Sequence, residues 1–296
     1  MEGLVSVVIT TYKRQVFFVE RAVRSVLDQT YKNLEIIIID DNPKFGQYSK
    51  DIKDFSDKYS NIRYIKNSKN EGAQISRNNG ILASRGEFVA FLDDDDTWEP
   101  TKLEKQIPCF KENVGLVFSN GYTINENYNP PKKTIYGQVF KKNVTFNEEL
   151  LRDRIGTTTQ LVMRKTCFDK VGMFDVNLPA RQDYEMCIRF CQYYKAVGVD
   201  DYLFNHYIHK GEQISGSFIK AVTGYKTIYK KYKKYYDEDK NAKVGIFKNI
   251  EYTANTYKKQ KDIIPFFIKE FILDPKFCFK YINTRVKDFL KKKLKN

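Results

Sequence analysis

Four consecutive carboxylates, Asp93, Asp94, Asp95 and Asp96, follow the apolar run from Phe88 to Leu92. Like charges this close disfavour one another's ionisation, so a positive partner is expected among them. Carboxylate oxygens without cysteine suit a hard divalent cation, Mg²⁺ or Mn²⁺, of the kind that bridges carboxylates and substrate phosphates. A metal diphosphate is therefore the expected occupant, and a solvated turn capping the following helix is the plainer alternative. Two other polar clusters follow apolar runs in the same way: Thr10, Thr11, Tyr12 and Arg14 near the N-terminus, then Asp40 and Asp41.

The elements needed to gather these clusters can be read from periodicity. Leu4 to Thr10, Glu35 to Ile39, Asn61 to Ile65 and Phe88 to Leu92 read as buried strands, and Val114 to Ser119 as another. Val16 to Leu27 and Ile75 to Ala83 carry apolar residues at helical spacing between them. Strands alternating with helices imply an α/β fold whose sheet is mainly parallel, because parallel strands need crossover connections. Ligands of such sheets bind beyond the carboxyl ends of the strands, where all three polar clusters fall. Gly121 to Asn147, rich in Asn, Pro, Gly and Lys, reads as a long irregular insertion.

Several function classes are excluded. No glycine occurs between Leu4 and Phe45, so the dinucleotide fingerprint G-x-G-x-x-G is absent after the first strand, and no P-loop motif occurs. Five scattered cysteines include no CxxC pair, which leaves no zinc motif and points to reduced packing residues. A glycoside hydrolase also uses two carboxylates, but a run of four is a poor way to raise one pKa for acid catalysis.

The segments Val5-Ser-Val-Val-Ile-Thr-Thr-Tyr-Lys-Arg14, Ala22-Val-Arg-Ser-Val-Leu-Asp-Gln-Thr-Tyr31, Ile38-Ile-Asp-Asp41, Arg77-Asn-Asn-Gly80 and Gly86-Glu-Phe-Val-Ala-Phe-Leu-Asp-Asp-Asp-Asp96 resemble family 2 inverting glycosyltransferases of the GT-A fold. The resemblance covers about the first 215 residues. It implies a nucleotide-diphospho-sugar donor, most simply a UDP-sugar, and a metal, Mn²⁺ or Mg²⁺, held by a DxD-type motif. On that basis Thr10 and Tyr12 border the base, Asp41 bonds the pyrimidine edge, and Arg14, Arg77 and Asn78 belong to the donor site. Asp93 and Asp94 then lie near ribose and sugar, while Asp95 and His209 reach the metal, the last from a polar loop, His209 to Ser215, that closes over the donor. Arg181-Gln-Asp-Tyr-Glu185 resembles the family's Glu-Asp motif, with Gln182 where Glu is common, and makes Asp183 the catalytic base. The same aspartate opens a helix and could cap it. A non-catalytic basic binding protein that keeps the fold is the rival reading.

Charge marks a boundary. Residues 201–296 hold 22 lysines and arginines against 10 acidic residues, a net +12 of the chain's +14. The expected organisation is a GT-A catalytic domain over 1–216, with a nucleotide-binding half at 1–98 and an acceptor half at 99–216, followed by a basic helical extension over 217–296. Lys and Tyr interleave from Tyr225 to Tyr236, and Ile263 to Leu273 and Phe277 to Leu290 mix apolar residues with lysine at helical spacing. Basic amphipathic helices suit an anionic membrane surface, and a packed helical bundle with a solvated lysine face is the alternative. No nucleic-acid motif occurs, so that partner is not expected. The chain has no run of 18 apolar residues and no basic, apolar leader, which points to a cytoplasmic protein that acts on a glycan or lipid-linked glycan acceptor.

Overall fold

The computed structural model describes residues 3–137, 143–209 and 217–293, with side chains through residue 287. The chain forms two compact units, one of residues 1–149, 153–178 and 182–213, the other of residues 150–152, 179–181 and 214–296. The loop expected beyond His209 lies outside the described residues.

The first unit begins with β1 (Val5–Thr11), α1 (Val16–Leu27), β2 (Leu34–Asp40), α2 (Gln47–Ser56), β3 (Ile62–Lys66), α3 (Ala73–Ala83) and β4 (Phe88–Asp93). It continues through β5 (Thr97–Trp98), α4 (Lys102–Gln106), β6 (Val114–Asn125), β7 (Lys132–Ile135), α5 (Phe146–Leu151), β8 (Val162–Arg164), α6 (Cys167–Val171), α7 (Gln182–Tyr193) and β9 (Lys195–Ile208). One sheet runs in the order β3-β2-β1-β4-β8-β6-β9-β5, with β7 paired to β6. Only β3, β2, β1 and β4 form a continuous parallel set. Beyond them the sheet is mixed, since β8 is antiparallel to both β4 and β6, while β6 and β9 run parallel. The expectation of a mainly parallel sheet therefore applies to the first half alone. Its strands are buried on both faces, which is why they read as unbroken Val/Ile runs.

Those two faces carry two cores. Val5, Val7, Ile9, Ile36 and Ile38 pack with Val19, Ala22, Val23 and Val26 of α1. Val8, Ile37 and Ile39 point the other way, toward Ile81 of α3 and Met186, Cys187 and Phe190 of α7. Each buried valine or isoleucine of this kind contributes about 1.5–3 kcal/mol. The insertion expected to be irregular is partly ordered: β6 continues to Asn125, and Tyr122 to Asn125 pair with β7 in a hairpin. Its polar residues concealed the pairing because β7 is a short, exposed edge strand.

The second unit comprises α8 (Phe218–Lys231), α9 (Lys233–Glu238), α10 (Lys240–Thr256), α11 (Ile264–Leu273) and α12 (Pro275–Lys293). Phe247 sits at its centre, with ring centroids of Tyr229, Phe266, Phe267 and Phe277 at 4.9–5.5 Å. The tyrosines interleaved with lysine turn inward, so Tyr225, Tyr229, Tyr232 and Tyr236 are buried and belong to a helical core, not to an interfacial aromatic edge. Lys243 is buried with its ammonium 3.2 Å from Asp237 and 3.1 Å from Asp274. Among the described residues no helix is long and apolar enough to cross a membrane.

Gly80 fixes how closely α3 approaches β1, because a Cβ there would overlap both methyl groups of Val8. Gly80→Ala is expected to destabilise the chain by about 1–2 kcal/mol in urea unfolding: overpacking costs about 1–3 kcal/mol, partly offset by alanine's helix propensity. Combining it with Val8→Ala should cost less than the two single changes together. Equal stability of Gly80→Ala and the parent chain would rule out the close approach.

Candidate functional site

The carboxyl end of β4 turns sharply, with the Asp96 N–H donating to the Asp93 carbonyl at 3.1 Å, and this turn points the four aspartates in different directions. Each meets a counter-group, with Asp94 and Asp95 sharing Arg14. Asp93 Oδ1 accepts from Arg77 of α3 at 2.8 Å and from the Thr158 hydroxyl at 3.1 Å. Asp94 Oδ1 accepts from Arg14 Nε at 3.0 Å, and Asp95 Oδ2 from Arg14 Nη2 at 2.9 Å. Asp96 is fully buried and accepts from Thr159 Oγ1 at 2.7 Å and the Tyr207 N–H at 3.1 Å, with His206 Nδ1 at 3.1 Å. The positive partner expected among the aspartates is thus supplied in part by the chain itself.

Burial governs the electrostatics. It pushes Asp94 up to about 7, against the pull of Arg14 and with the help of Asp95. Burial also raises Asp96, offset in part by His206; His206 is raised in turn, because the Asp96 carboxylate outweighs the cost of burying an imidazolium. Asp96 is thus held by buried groups of the chain itself, while Asp93, Asp94 and Asp95 bond to arginines.

Arg14 reaches these carboxylates because the loop after β1 reverses tightly. Lys13 adopts a left-handed backbone with φ +49°, and its N–H donates to Asn42 Oδ1 at 2.8 Å. Asp40 in turn accepts from both the N–H and the amide of Asn42 and so closes the turn after β2. Thr10 lies at the end of β1 in register with Asp93, and Tyr12 beyond it is 39% exposed.

Asp41 is buried and holds the segment that leads into α3. Its Oδ1 accepts from Asn67 Nδ2 at 2.8 Å and the Glu71 N–H at 2.9 Å, and its Oδ2 from the Gly72 N–H at 2.9 Å. An ionised carboxylate has about four acceptor positions, so one on Oδ2 is left over from these three bonds. Asn78, expected at the donor site, donates its amide to the Phe174 carbonyl and accepts from the Phe174 N–H, both at 2.9 Å, so it also holds the loop after α6. From the other side Arg189 of α7 donates to the carbonyls of Val171 at 2.7 Å and Met173 at 2.8 Å.

Asp95 Oδ2 also stands 3.0 Å from His209 Nε2, and Arg14 Nη1 is 3.3 Å from that same nitrogen. A carboxylate oxygen and an imidazole nitrogen are ligand types that a divalent cation accepts, but here the two bond to each other and to Arg14. No group of three or more His, Cys, Asp or Glu is arranged for a metal among the described residues. Any cation on this pair shares Asp95 Oδ2 with Arg14.

Two contributors escaped the sequence reading. Arg21 donates to the Asp95 carbonyl at 2.8 Å and to Glu126 at 2.7 Å, with its guanidinium 3.7 Å from the centre of the Tyr207 ring. In sequence it looks like Arg24, one turn on, which makes only an exposed pair with Glu20. Tyr136 was hidden in the insertion expected to be irregular. Its phenol is raised well above the ordinary range, first by burial and then by the charges of Asp183, Asp153, Asp96 and Asp93. One hydroxyl thus feels both Asp183 and the aspartate turn. Asp183 itself lies in the first turn of α7, after Arg181 in a left-handed conformation, and its Oδ1 is 2.9 Å from the Tyr184 nitrogen.

Glu149 supports this region from beneath. Its Oε2 accepts from the N–H groups of Arg154 at 3.1 Å and Ile155 at 3.2 Å, and it is fully buried. Burial, followed by the charges of Asp153 and Asp183, raises its pKa well above that of an ordinary carboxyl. Because the folded-state value lies above the unfolded one, this stabilising contribution is complete below about pH 4 and is lost as pH rises through the folded value. Glu149→Gln should therefore melt like the parent at pH 4 and above it at pH 8.5 by differential scanning fluorimetry. An unchanged gap between the two proteins at both pH values would contradict the assignment.

Residues 6–172 match the sequence model of Glycosyl transferase family 2. The chain is 29% identical over 241 residues to the putative colanic acid biosynthesis glycosyl transferase WcaA of Escherichia coli, covering 79% of this chain and 83% of that one. It is 34% identical over 163 residues to WfgD of Escherichia coli, the UDP-Glc:alpha-D-GlcNAc-diphosphoundecaprenol beta-1,3-glucosyltransferase, covering 54% of this chain and 60% of the relative. Among solved structures, S. aureus TarS 1-349 in complex with UDP-GlcNAc shares the fold at a TM-score of 0.61 and 16% identity, over 76% of this chain and 66% of that one. The strand-end carboxylates, the mixed sheet and the match across more than half of the sequence agree: this chain belongs to glycosyl transferase family 2.

Proposed function

We propose that this glycosyltransferase is an inverting enzyme that moves a sugar from a UDP-sugar to a lipid-linked glycan during assembly of a surface polysaccharide. The observation that carries the reading is the aspartate turn with two arginines folded onto its open side, Arg14 and Arg77, beside the Asp95 and His209 pair. Such a site offers cations to a diphosphate and oxygens to a metal, and few other ligands need both. Relatives supply the donor and acceptor classes, since WfgD is a UDP-Glc:alpha-D-GlcNAc-diphosphoundecaprenol glucosyltransferase and WcaA is a putative colanic acid biosynthesis glycosyl transferase.

In this mechanism Tyr12 stacks on the base beside Thr10, and the remaining acceptor position of Asp41 takes the pyrimidine's imide N–H. Asp93 and Asp94 receive ribose and sugar hydroxyls, with Arg77 holding Asp93 in place. Arg14 supports the diphosphate. Asp95 and His209 would hold Mn²⁺ or Mg²⁺, which would supply positive charge against that developing on the leaving UDP. Asp183 removes the proton from the acceptor hydroxyl as that oxygen attacks the anomeric carbon on the face opposite UDP, so configuration inverts. Gln182, where acidic residues are common in the family, spares the aspartate and lowers the negative charge beside the acceptor. The catalytic portion spans 1–216 in this reading, and the basic extension from 217 keeps the enzyme at the cytoplasmic face of the membrane, where a lipid-linked acceptor resides.

Asp183→Asn is expected to retain UDP and Mn²⁺ binding within about twofold by calorimetry. Its kcat for transfer should fall by about 10²–10⁴, the range for loss of general base catalysis. Turnover equal to the parent would sink the base assignment, and UDP affinity indifferent to Mn²⁺ would favour a non-catalytic binding protein.

A further inference from the structure

The second unit carries an apolar face that its own packing leaves uncovered. Along α11, Ile264, Ile268 and Ile272 recur every four residues and are at least half exposed, Ile272 at 72%. Along α12, Phe279, Ile282 and Val286 form a second exposed stripe, with Phe279 again at 72%. The inward sides of the same helices supply Phe267, Phe271, Phe277 and Tyr281 to the aromatic core around Phe247, so the outward residues are surplus to folding. Phe267, Phe271 and Tyr281, with Ile263, Ile264 and Ile268, also line a groove of about 340 Å³. Single exposed hydrophobic residues need no explanation, but two adjacent stripes with a groove mark an interaction surface.

Charge selects the occupant. Lys261, Lys269, Lys276, Lys280 and Lys287 are exposed on or beside the same helices, and among the described residues none of them makes an ion pair. The acids of this stretch are mostly withdrawn from solvent. Glu270 is buried and accepts from the Tyr229 hydroxyl at 2.7 Å, and Asp274 is held by Lys240 at 2.6 Å and by Lys243. Neutralising the acids while leaving the lysines unpaired creates a positive rim around an apolar centre. A second copy of this chain would bring lysine against lysine, whereas the phosphates of an anionic leaflet complement the rim and the acyl boundary accepts the isoleucines.

We infer that the exposed face of α11 and α12 lies in the plane of an anionic membrane, with Ile268, Ile272 and Phe279 inserted below the headgroups and Lys269, Lys276 and Lys280 at the phosphates. The choice of a lipid surface rests in part on the lipid-linked acceptor of the proposed function, while the face itself stands on exposure and charge alone. The isoleucine and phenylalanine side chains supply the affinity of insertion. Each lysine at an anionic surface adds roughly fivefold to the partition, corresponding to about 1 kcal/mol.

The test uses the full chain with vesicles of phosphatidylglycerol and phosphatidylcholine, and with phosphatidylcholine vesicles alone. The parent should float with the anionic vesicles, bind the neutral ones at least tenfold less, and release in 0.5 M salt. Ile268→Glu/Ile272→Glu/Phe279→Glu should lose at least tenfold in binding while keeping the parent's circular dichroism. Should that variant misfold, Ile272→Trp gives an independent reading, because the chain's single tryptophan, Trp98, is buried. The emission of this variant should shift to the blue on anionic vesicles and be quenched by brominated acyl chains. Undiminished flotation of the folded triple variant, or an Ile272→Trp emission that does not change on bound vesicles, would overturn the inference. So would a parent dimer that the triple variant dissolves, since the face would then join two copies. Hydrolysis of a UDP-sugar in vesicle-free buffer reports on the transferase reading separately, so either can fail alone.

Discussion

Four like charges in one turn cannot persist without compensation, and the way this chain compensates them organises the whole site. Arg77 arrives from α3, Arg14 from the loop after β1, His206 from β9 and the hydroxyls of Thr158 and Thr159 from the segment before β8. Elements far apart in sequence are thereby drawn to one sheet edge by electrostatic need. The buried member, Asp96, ties the turn to the backbone of Tyr207, and the Asp95 carbonyl is tied through Arg21 to Glu126 just beyond β6. Asp93, Asp94 and Asp95 are thereby carried on a backbone that is itself fixed at both ends of the turn.

The strand ends were legible in the sequence because parallel strands covered on both faces write unbroken apolar runs, and the polar residues that end them stand out. Tyr12, Arg14, Asp41, Arg77, Asp93, Asp94 and Asp95 stand out in that way and through the motifs of the family. The roles were less legible than the positions. Asp41 and Asn78 carry the same polarity whether they meet a ligand or the chain's own N–H groups, and only the fold reveals that Asn78 bonds to Phe174. Arg21 and Tyr136 were missed for a related reason: an arginine on a helix and a tyrosine beside a four-residue edge strand have no local pattern that separates them from surface residues.

The second unit shows the opposite balance. Composition announced basic helices, but the tyrosines that resembled an interfacial belt form the core with Phe247, and the exposed apolar surface falls on α11 and α12. Helical spacing places residues on a common face without stating which face is covered. Lys243 makes the same point, since a lysine in a lysine-rich segment is here fully buried between two aspartates.

The clasp around residues 171–174 has a mechanical consequence. Asn78 grips Phe174 from α3 and Arg189 grips Val171 and Met173 from α7, so a short stretch of backbone acts as a strut between the two helices. Arg77 stands next to Asn78 on the first helix, and Asp183 opens the second. Hydrogen bonds of 2.7–2.9 Å hold that stretch to both helices. The arginine that steadies the aspartate turn and the carboxylate at the head of α7 are thus carried by two helices that grip the same stretch of backbone.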